Sequence, residues 1–337
     1  MRIESISIRN FKSIVDLEFP LGRFNVLIGA NGCGKTNILE AISFGTASIG
    51  DKLENEFLGL RGIRMTEPKF MISGFDTSSN KIGFDLQIDK QKYKNIIWYQ
   101  EDKKKWFVER NNSFSLSGQF NNIFLSYCPE ESSLRTFRED IQILPLGRKG
   151  EGLFRYLKES GQTEKGIQIL QEIKENLSLL DWYDDMKIPE SSFSNDSTVL
   201  IRDRYLSETL QYFDQRSANE GFLYLLFYLT LFISDETPEF FAIDNIESAF
   251  NPKMCTEVIR TLTVLSRKHG KQVMVTTHNP AVLDGLNIAE DDERLFVVRR
   301  NIDGHTKLNR IEYKADRSMK LSEIWLNGFI GGLPDNF

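Results

Sequence analysis

Hydrophobic and polar positions change period several times along this chain. At the start, MRIESISIRN alternates apolar and polar residues in steps of two, which predicts a strand. FNVLI (24–28) is a short continuous apolar run, as in a strand buried within a parallel sheet. NILEAISF (37–44) follows with the spacing of an amphipathic helix. Between about residues 70 and 127, KFMISGF, IGFDLQI, NIIWYQ, KWFVER and IFLSY alternate again and predict an antiparallel sheet. Within it, YKNIIWYQEDKKKWFVER has the form of a hairpin with EDKKK at its tip. CPEESSLRTFREDIQILPLGRKGEGLF, rich in Pro, Gly and charge, predicts a loop. FRYLKES, TEKGIQILQEIKENLSLLDWY and YLSETLQYF predict helices. FFAID (240–244) and KQVMVTTH (271–278) are two further buried strands, each ending in a residue able to do chemistry. PKMCTEVIRTLTVLSRKHG between them predicts a helix with basic residues near its end.

Composition narrows the class without choosing a function. The 337 residues are 40% hydrophobic and 27% charged, ordinary for a globular α/β protein of one large or two smaller domains. A net charge of −6 argues against a uniformly basic nucleic-acid coat and leaves room for a local basic groove. Cys33, Cys128 and Cys255 are too sparse for a disulfide framework, and His269, His278 and His305 have no metal-ligand spacing. The richest apolar run, GFLYLLFYLTLFIS, spans about 14 residues and is short for a membrane helix. A strand-like start in place of a signal peptide points to a reduced, cytoplasmic compartment.

The most specific motif is GANGCGKT (29–36), a full G-x-x-x-x-G-K-[ST] phosphate loop between an apolar strand and a helical run. Gly32 and Gly34 let the backbone turn its N–H groups toward phosphate oxygens, and the helix starting near Lys35 adds its positive end. Lys35 reaches the β- and γ-phosphates, and the Thr36 hydroxyl takes Mg²⁺. Asn31, Gly32, Cys33, Gly34, Lys35, Thr36 and Asn37 are thus the expected ATP contacts. Asp244, at the tip of FFAID, is the second expected Mg²⁺ partner. His278, just past its strand, is expected near the γ-phosphate or the attacking water. The residue after Asp244 is Asn245, an amide that can hold a water but cannot take its proton. The next carboxylate, Glu247, is either a second candidate for the water or a solvated loop acid. Slow hydrolysis is expected.

IRNFKSI…FNVLIGANGCGKTNILEAI resembles the head domains of the RecF, SMC and OLD families of ABC-type ATPases. The resemblance continues in FDQRSANEGFLYLLFYLTLF at the place of the signature helix, IESAFNP at the interface loop, and TTHNPAVLDGL at the switch histidine. It covers about residues 1–300. It implies an α/β P-loop NTPase of ABC type: a bilobed head with a mixed nucleotide-binding sheet, an antiparallel β-lobe and a helical lobe. On this pattern 1–65 and 235–315 form the nucleotide core, 66–130 the antiparallel insertion, 131–234 the signature lobe and 316–337 a tail. It further implies a homodimer, or a higher oligomer, closed around ATP and Mg²⁺. Ser217, Ala218, Asn219, Glu220 and Gly221 would then meet the partner's γ-phosphate, although SANEG departs from the usual L-S-G-G-x form. Ser217 and Glu220 also read as a helix capping box. Asn10, Phe11 and Lys12 either contribute adenine or ribose contacts or form a simple turn.

No heptad run is long enough for an SMC-type arm, and the roughly 50 residues after the histidine segment are too few for the Toprim nuclease domain of OLD proteins. The sequence also resembles the compact ATPases of bacterial anti-phage systems, such as the Septu-type ATPases paired with an HNH nuclease. That implies a separately encoded effector, with nucleic acid as a conceivable trigger. A RecF-like DNA-repair ATPase and an ATP-dependent scaffold with little turnover are the alternatives. The apolar, glycine-rich tail LSEIWLNGFIGGLPDNF either tucks against its own domain or docks a partner.

Overall fold

The computed structural model describes residues 2–64, 66–76, 78–111, 124–136, 145–188, 198–207, 209–315 and 318–333. The chain divides into two compact units. The first comprises Met1–Ser126, Pro238–Glu247 and Lys271–Phe337; the second comprises Tyr127–Thr237 and Ser248–Gly270.

In the first unit, β1 (Ile3–Phe11), β2 (Ile14–Pro20), β4 (Ile82–Ile88), β5 (Gln91–Gln100) and β6 (Lys105–Arg110) form an antiparallel sheet in the order β2-β1-β4-β5-β6. A six-stranded sheet has β3 (Phe24–Ile28) near its centre, in the order β14-β13-β3-β12-β11-β7. Here β7 is Phe124–Tyr127, β11 Phe240–Ile243, β12 Gln272–Thr276, β13 Glu293–Arg300 and β14 Thr306–Ile311. The strands β13, β3, β12 and β11 run parallel, and β14 pairs antiparallel with β13. Strands β3, β11 and β12 are buried at every residue, which is why they read as unbroken apolar runs.

Helix α1 (Lys35–Ile49) joins the two sheets in one core. Ile38, Leu39, Ile42 and Phe44 cluster with Ile6, Ile8, Phe84 and Ile97 of one sheet and Leu27, Met274 and Phe296 of the other. Phe44 meets Trp106 edge-on at 5.1 Å. A Cβ on Gly45 would lie 2.1 Å from the Phe84 ring, so the helix approaches β4 only because this position is glycine.

The second unit is mainly helical: α4 (Glu131–Thr136), α5 (Leu153–Ser160), α6 (Glu164–Leu177), α7 (Glu220–Ile233) and α8 (Pro252–Lys268), with β8 (Tyr183–Lys187), β9 (Leu200–Asp203) and β10 (Phe213–Asp214) as a small antiparallel sheet. Every residue of α7 from Phe222 to Ile233 is buried, so its apolar character extends all round the helix.

Four sequence expectations are corrected here. KFMISGF is not a strand: Pro68, pre-set for a helix start, opens the short helix α3 (Pro68–Met71). It follows α2 (Asn55–Leu60). The helix predicted through DWY stops at Leu177, and Tyr183 already belongs to β8. Among the described residues, YLSETLQYF forms no helix. The Asp203 carboxylate accepts the Tyr205 N–H at 2.8 Å and turns the chain, and Phe213 pairs with Ile201. The predicted loop after Cys128 contains α4. Residues 112–123 and 137–144 of these predicted segments lie outside the described residues.

Candidate nucleotide site

The loop between β3 and α1 is set by three glycines with positive φ: Gly29 (151°), Gly32 (76°) and Gly34 (111°). Two of them are also fixed by close neighbours. A Cβ on Gly29 would sit 2.2 Å from the Val298 carbonyl oxygen, and one on Gly34 would sit 2.2 Å from Thr306 Oγ1. Thr306 braces the loop from behind. Its Oγ1 donates to the Cys33 carbonyl at 3.0 Å and lies 2.7 Å from Ser13 Oγ, which accepts from Asn37 Nδ2 at 2.7 Å. Neither Ser13 nor Thr306 stood out in the sequence.

Lys35 opens α1 and is 6% exposed. Its ammonium donates to the carbonyls of Gly29 (2.7 Å) and Ala30 (3.2 Å). Burial pulls its pKa below the ordinary lysine value, opposed by the nearby Cys33, Asp244 and Glu247. The Cys33 side chain is buried and lies 3.9 Å from Lys35 Nζ, so any nucleotide contact from Cys33 comes from its backbone.

The loop walls a pocket of about 430 Å³, completed by Arg64, Asp244, Asn245, His278 and Arg300. Asp244 extends from β11; its Oδ2 accepts from Thr36 Oγ1 at 3.4 Å, and its Oδ1 accepts from Thr276 Oγ1. The same Thr276 hydroxyl oxygen accepts the Asn245 N–H at 2.9 Å. Asn245 has φ 56°, a left-handed conformation that asparagine tolerates better than most residues, and its exposed side chain lines the pocket. Glu247 is arranged differently. Its Oε1 accepts the His278 backbone N–H at 2.8 Å, and its Oε2 is buried without a hydrogen-bond partner among the described residues.

His278 follows β12 and lines the same pocket. Burial, then the charge of Lys35, lowers its pKa below the usual histidine value, with Glu247 and Asp244 pulling the other way. The ring is therefore neutral at pH 7. Its folded pKa lies below its unfolded one, so this contribution to stability is complete above about pH 6.5 and declines as pH falls through the folded value. An NMR titration of the His278 ring is expected to give a midpoint below 6.5. A midpoint above that value would contradict this electrostatic account.

Beside the phosphate pocket lies a second recess of about 410 Å³, which shares Asn37, Arg64 and Arg300 with it. Lys12, Lys69, Phe70 and Phe75 form much of its remaining wall. Phe70 and Phe75 are 59% and 45% exposed. Glu40, 3% exposed on α1, accepts from Arg64 Nε at 2.5 Å and pairs with Lys12, holding two cations at the rim. Asn10 and Phe11, expected either as nucleoside contacts or as part of a turn, do not line this recess. Asn10 Nδ2 donates to the Ser79 and Lys81 carbonyls at 2.7 and 3.0 Å, and Phe11 is wholly buried against Phe44. Of that turn, Lys12 reaches the recess.

The signature candidates belong to the second unit. The helix cap is corrected from Ser217 to Asn219, whose Oδ1 accepts the Phe222 N–H at 2.9 Å. Ser217 instead closes a 3₁₀ turn over Gln215–Ser217. Glu220 and Gly221 are the first two residues of α7.

A glycine-rich strand–loop–helix with its lysine and threonine, facing an aspartate-tipped parallel strand, defines a P-loop ATPase, and the two sheets give it an ABC-type head. The family model described as "AAA domain, putative AbiEii toxin, Type IV TA system" matches residues 24–284, and the chain belongs to that family. It is 30% identical over 205 residues to the DNA replication and repair protein RecF of Clostridioides difficile, covering 55% of this chain and 48% of that one. The matched regions span from 10% to 48% of the lengths of the curated Smc and RecF relatives. Among solved structures, the SMC head domain from Thermotoga maritima is similar with TM-score 0.56 and 14% identity, covering 93% of this chain and 100% of that one. An SmcHead bound to the C-winged helix domain of ScpA is similar with TM-score 0.63 and 15% identity, covering 93% and 98%. The fold is thus that of an SMC head. Among the described residues no helix is long and apolar enough to cross a membrane.

Proposed function

We propose that this chain binds ATP, hydrolyses it slowly, and closes as a homodimer around it to control a separately encoded effector, a nuclease in anti-phage defence. The observation that carries the enzymatic part is the phosphate pocket, which gathers Lys35, Thr36, Asp244 and His278 while offering an amide, Asn245, where a general base would serve best. Lys35 exchanges its loop carbonyls for phosphate oxygens. Asn245 orients the attacking water by hydrogen bonds, and without a carboxylate at that position turnover stays low. Glu247 acts indirectly, by holding the His278 backbone. Thr36 and Asp244 supply two hard oxygens 3.4 Å apart, the small protein share that Mg²⁺ takes when substrate phosphates complete its shell. Bound there, Mg²⁺ would neutralise phosphate charge. The second recess suits the nucleoside, with Phe75 and Phe70 offered for stacking and Lys12 at the sugar end. In the dimer, the start of α7 meets the partner's γ-phosphate with residues 219–221. The family's description as a putative AbiEii toxin domain is compatible with a defence role.

The test is self-association by light scattering with and without Mg·ATP, alongside fluorescent-nucleotide binding. Micromolar binding with ATP-dependent doubling of mass is expected. A chain that binds ATP yet stays monomeric at high concentration would sink the dimer mechanism.

A second reading, a RecF-like ATPase stimulated by nucleic acid, is favoured by the outer face of the antiparallel sheet. Trp98 and Phe107 are cross-strand partners stacked at 6.0 Å, with Lys81 5.3 Å from one ring and Lys103 5.2 Å from the other. Aromatic rings flanked by lysines suit unpaired bases and their phosphates. On this reading, single-stranded DNA raises ATP turnover at about 50 mM salt and loses that effect near 200 mM, and Trp98→Ala weakens DNA binding about tenfold. Equal turnover with and without DNA at low salt would dismiss it.

A further inference from the structure

The turn that leads into α7 is held by a side chain 80 residues earlier. Arg135, on the last turn of α4, donates from Nη1 to the carbonyls of Arg216 at 2.7 Å and Ala218 at 2.8 Å, with that of Gln215 at 3.4 Å. Its Nε and Nη2 both donate to Glu131 Oε1, at 3.0 and 2.6 Å. The planar guanidinium is therefore fixed on two sides, which a lysine could not reproduce. Gln215, 2% exposed, anchors the same turn by accepting the Val199 N–H at 2.9 Å.

The physical consequence concerns direction. A carbonyl drawn to a cation points away from the opposite side of its peptide, where the N–H groups are. With the Ala218 carbonyl held on Arg135, the Asn219 N–H of the same peptide faces the other way, and the orientation of the peptide that leads into α7 is fixed. Asn219 completes the arrangement by capping Phe222 N–H from its own side chain.

We propose that Arg135 is a positioning residue for ATP turnover in the partner's site, setting the start of α7 through the carbonyls of Arg216 and Ala218. The inference rests on the dimer reading above. Arg135 belongs to the second unit and the phosphate loop to the first, so a chain lacking Arg135 keeps its own nucleotide pocket.

The experiment uses the full chain and three variants, Arg135→Ala, Arg135→Lys and Lys35→Ala. Arg135→Ala is expected to bind ATP within about twofold of wild type and to lose turnover by tenfold or more, on the order of one positioned transition-state contact. Arg135→Lys falls between, because it keeps charge and loses the fork. Mixing is decisive. A dimer of one Arg135→Ala chain and one Lys35→Ala chain has one site with both defects and one with neither. Equal mixing of two inactive variants should regain about a quarter of wild-type turnover for random pairing and independent sites. If wild type associates with ATP but the mixture regains nothing, Arg135 is only a strut of its own unit and the proposal is overturned. A parallel fall in ATP affinity and melting temperature in both Arg135 variants overturns it too. If wild type itself never associates, the dimer reading fails first and takes this inference with it.

Discussion

Alanine in place of Lys35 is expected to remove ATP turnover almost entirely, by about 10²–10³-fold, and to weaken nucleotide binding strongly. The ammonium is the cation closest to the loop backbone, held at 2.7 Å from the Gly29 carbonyl at the start of α1. Among the described residues no other lysine lines the phosphate pocket. Arg64 stands at the rim with its Nε committed to Glu40, so it is poorly placed to substitute. The fold should be little affected. Burial already disfavours the charged form of Lys35, and its removal leaves no large apolar void, since its neighbours are loop carbonyls. Phosphate release, fluorescent-nucleotide titration and a thermal melt on the same preparation check this. Turnover surviving in Lys35→Ala at more than about a tenth of wild type would mean that the chemistry happens elsewhere.

The second large effect runs upward. Asn245→Asp is expected to raise turnover by about 10²-fold, the lower end of what a positioned general base contributes. The exchange keeps the side-chain shape and turns an amide into a carboxylate. It also respects the backbone: φ at this position is 56°, which aspartate, like asparagine, adopts readily. Thr276 should still hold the backbone N–H, and Asp244 should keep its own contact with the same hydroxyl. The companion variant is Glu247→Gln. Because the Glu247 Oε1 already serves the His278 N–H, glutamine can keep that bond through its carbonyl, and turnover should change less than about tenfold. The opposite pattern, with Glu247→Gln inactive and Asn245→Asp unchanged, would identify Glu247 as the base. Its buried, unpaired Oε2 would then be the reacting oxygen.

Much of the geometry of the candidate nucleotide site was legible because its parts are local. The phosphate loop is one window of eight residues, and its strand and helix flank it directly. Asp244 and His278 follow apolar runs that could only be buried strands. The errors arose where two local solutions competed. Ser217 and Glu220 satisfy a capping-box pattern, yet Asn219 caps the helix because the 3₁₀ turn has already used Ser217. KFMISGF alternates like a strand, but Pro68 just before it favours a helical start. Asn10 and Phe11 end β1 just before the turn to β2, and the direction of their side chains became visible only once β4 and α1 were packed beside them.

Taken by itself, the sequence determined the backbone devices of this protein: glycines that accept positive φ, apolar runs of strand or helix period, and a lysine and threonine at the required spacing. Tertiary structure alone decided the partners. Thr306 reaches Ser13 across 293 positions, Arg64 and Arg300 meet around one pocket, and Asn245 rather than Glu247 turns its side chain into it. The reason is physical. Conformational preference is a property of a few neighbouring residues, whereas such contacts depend on sheet order and register, which bring together segments that no window of sequence contains.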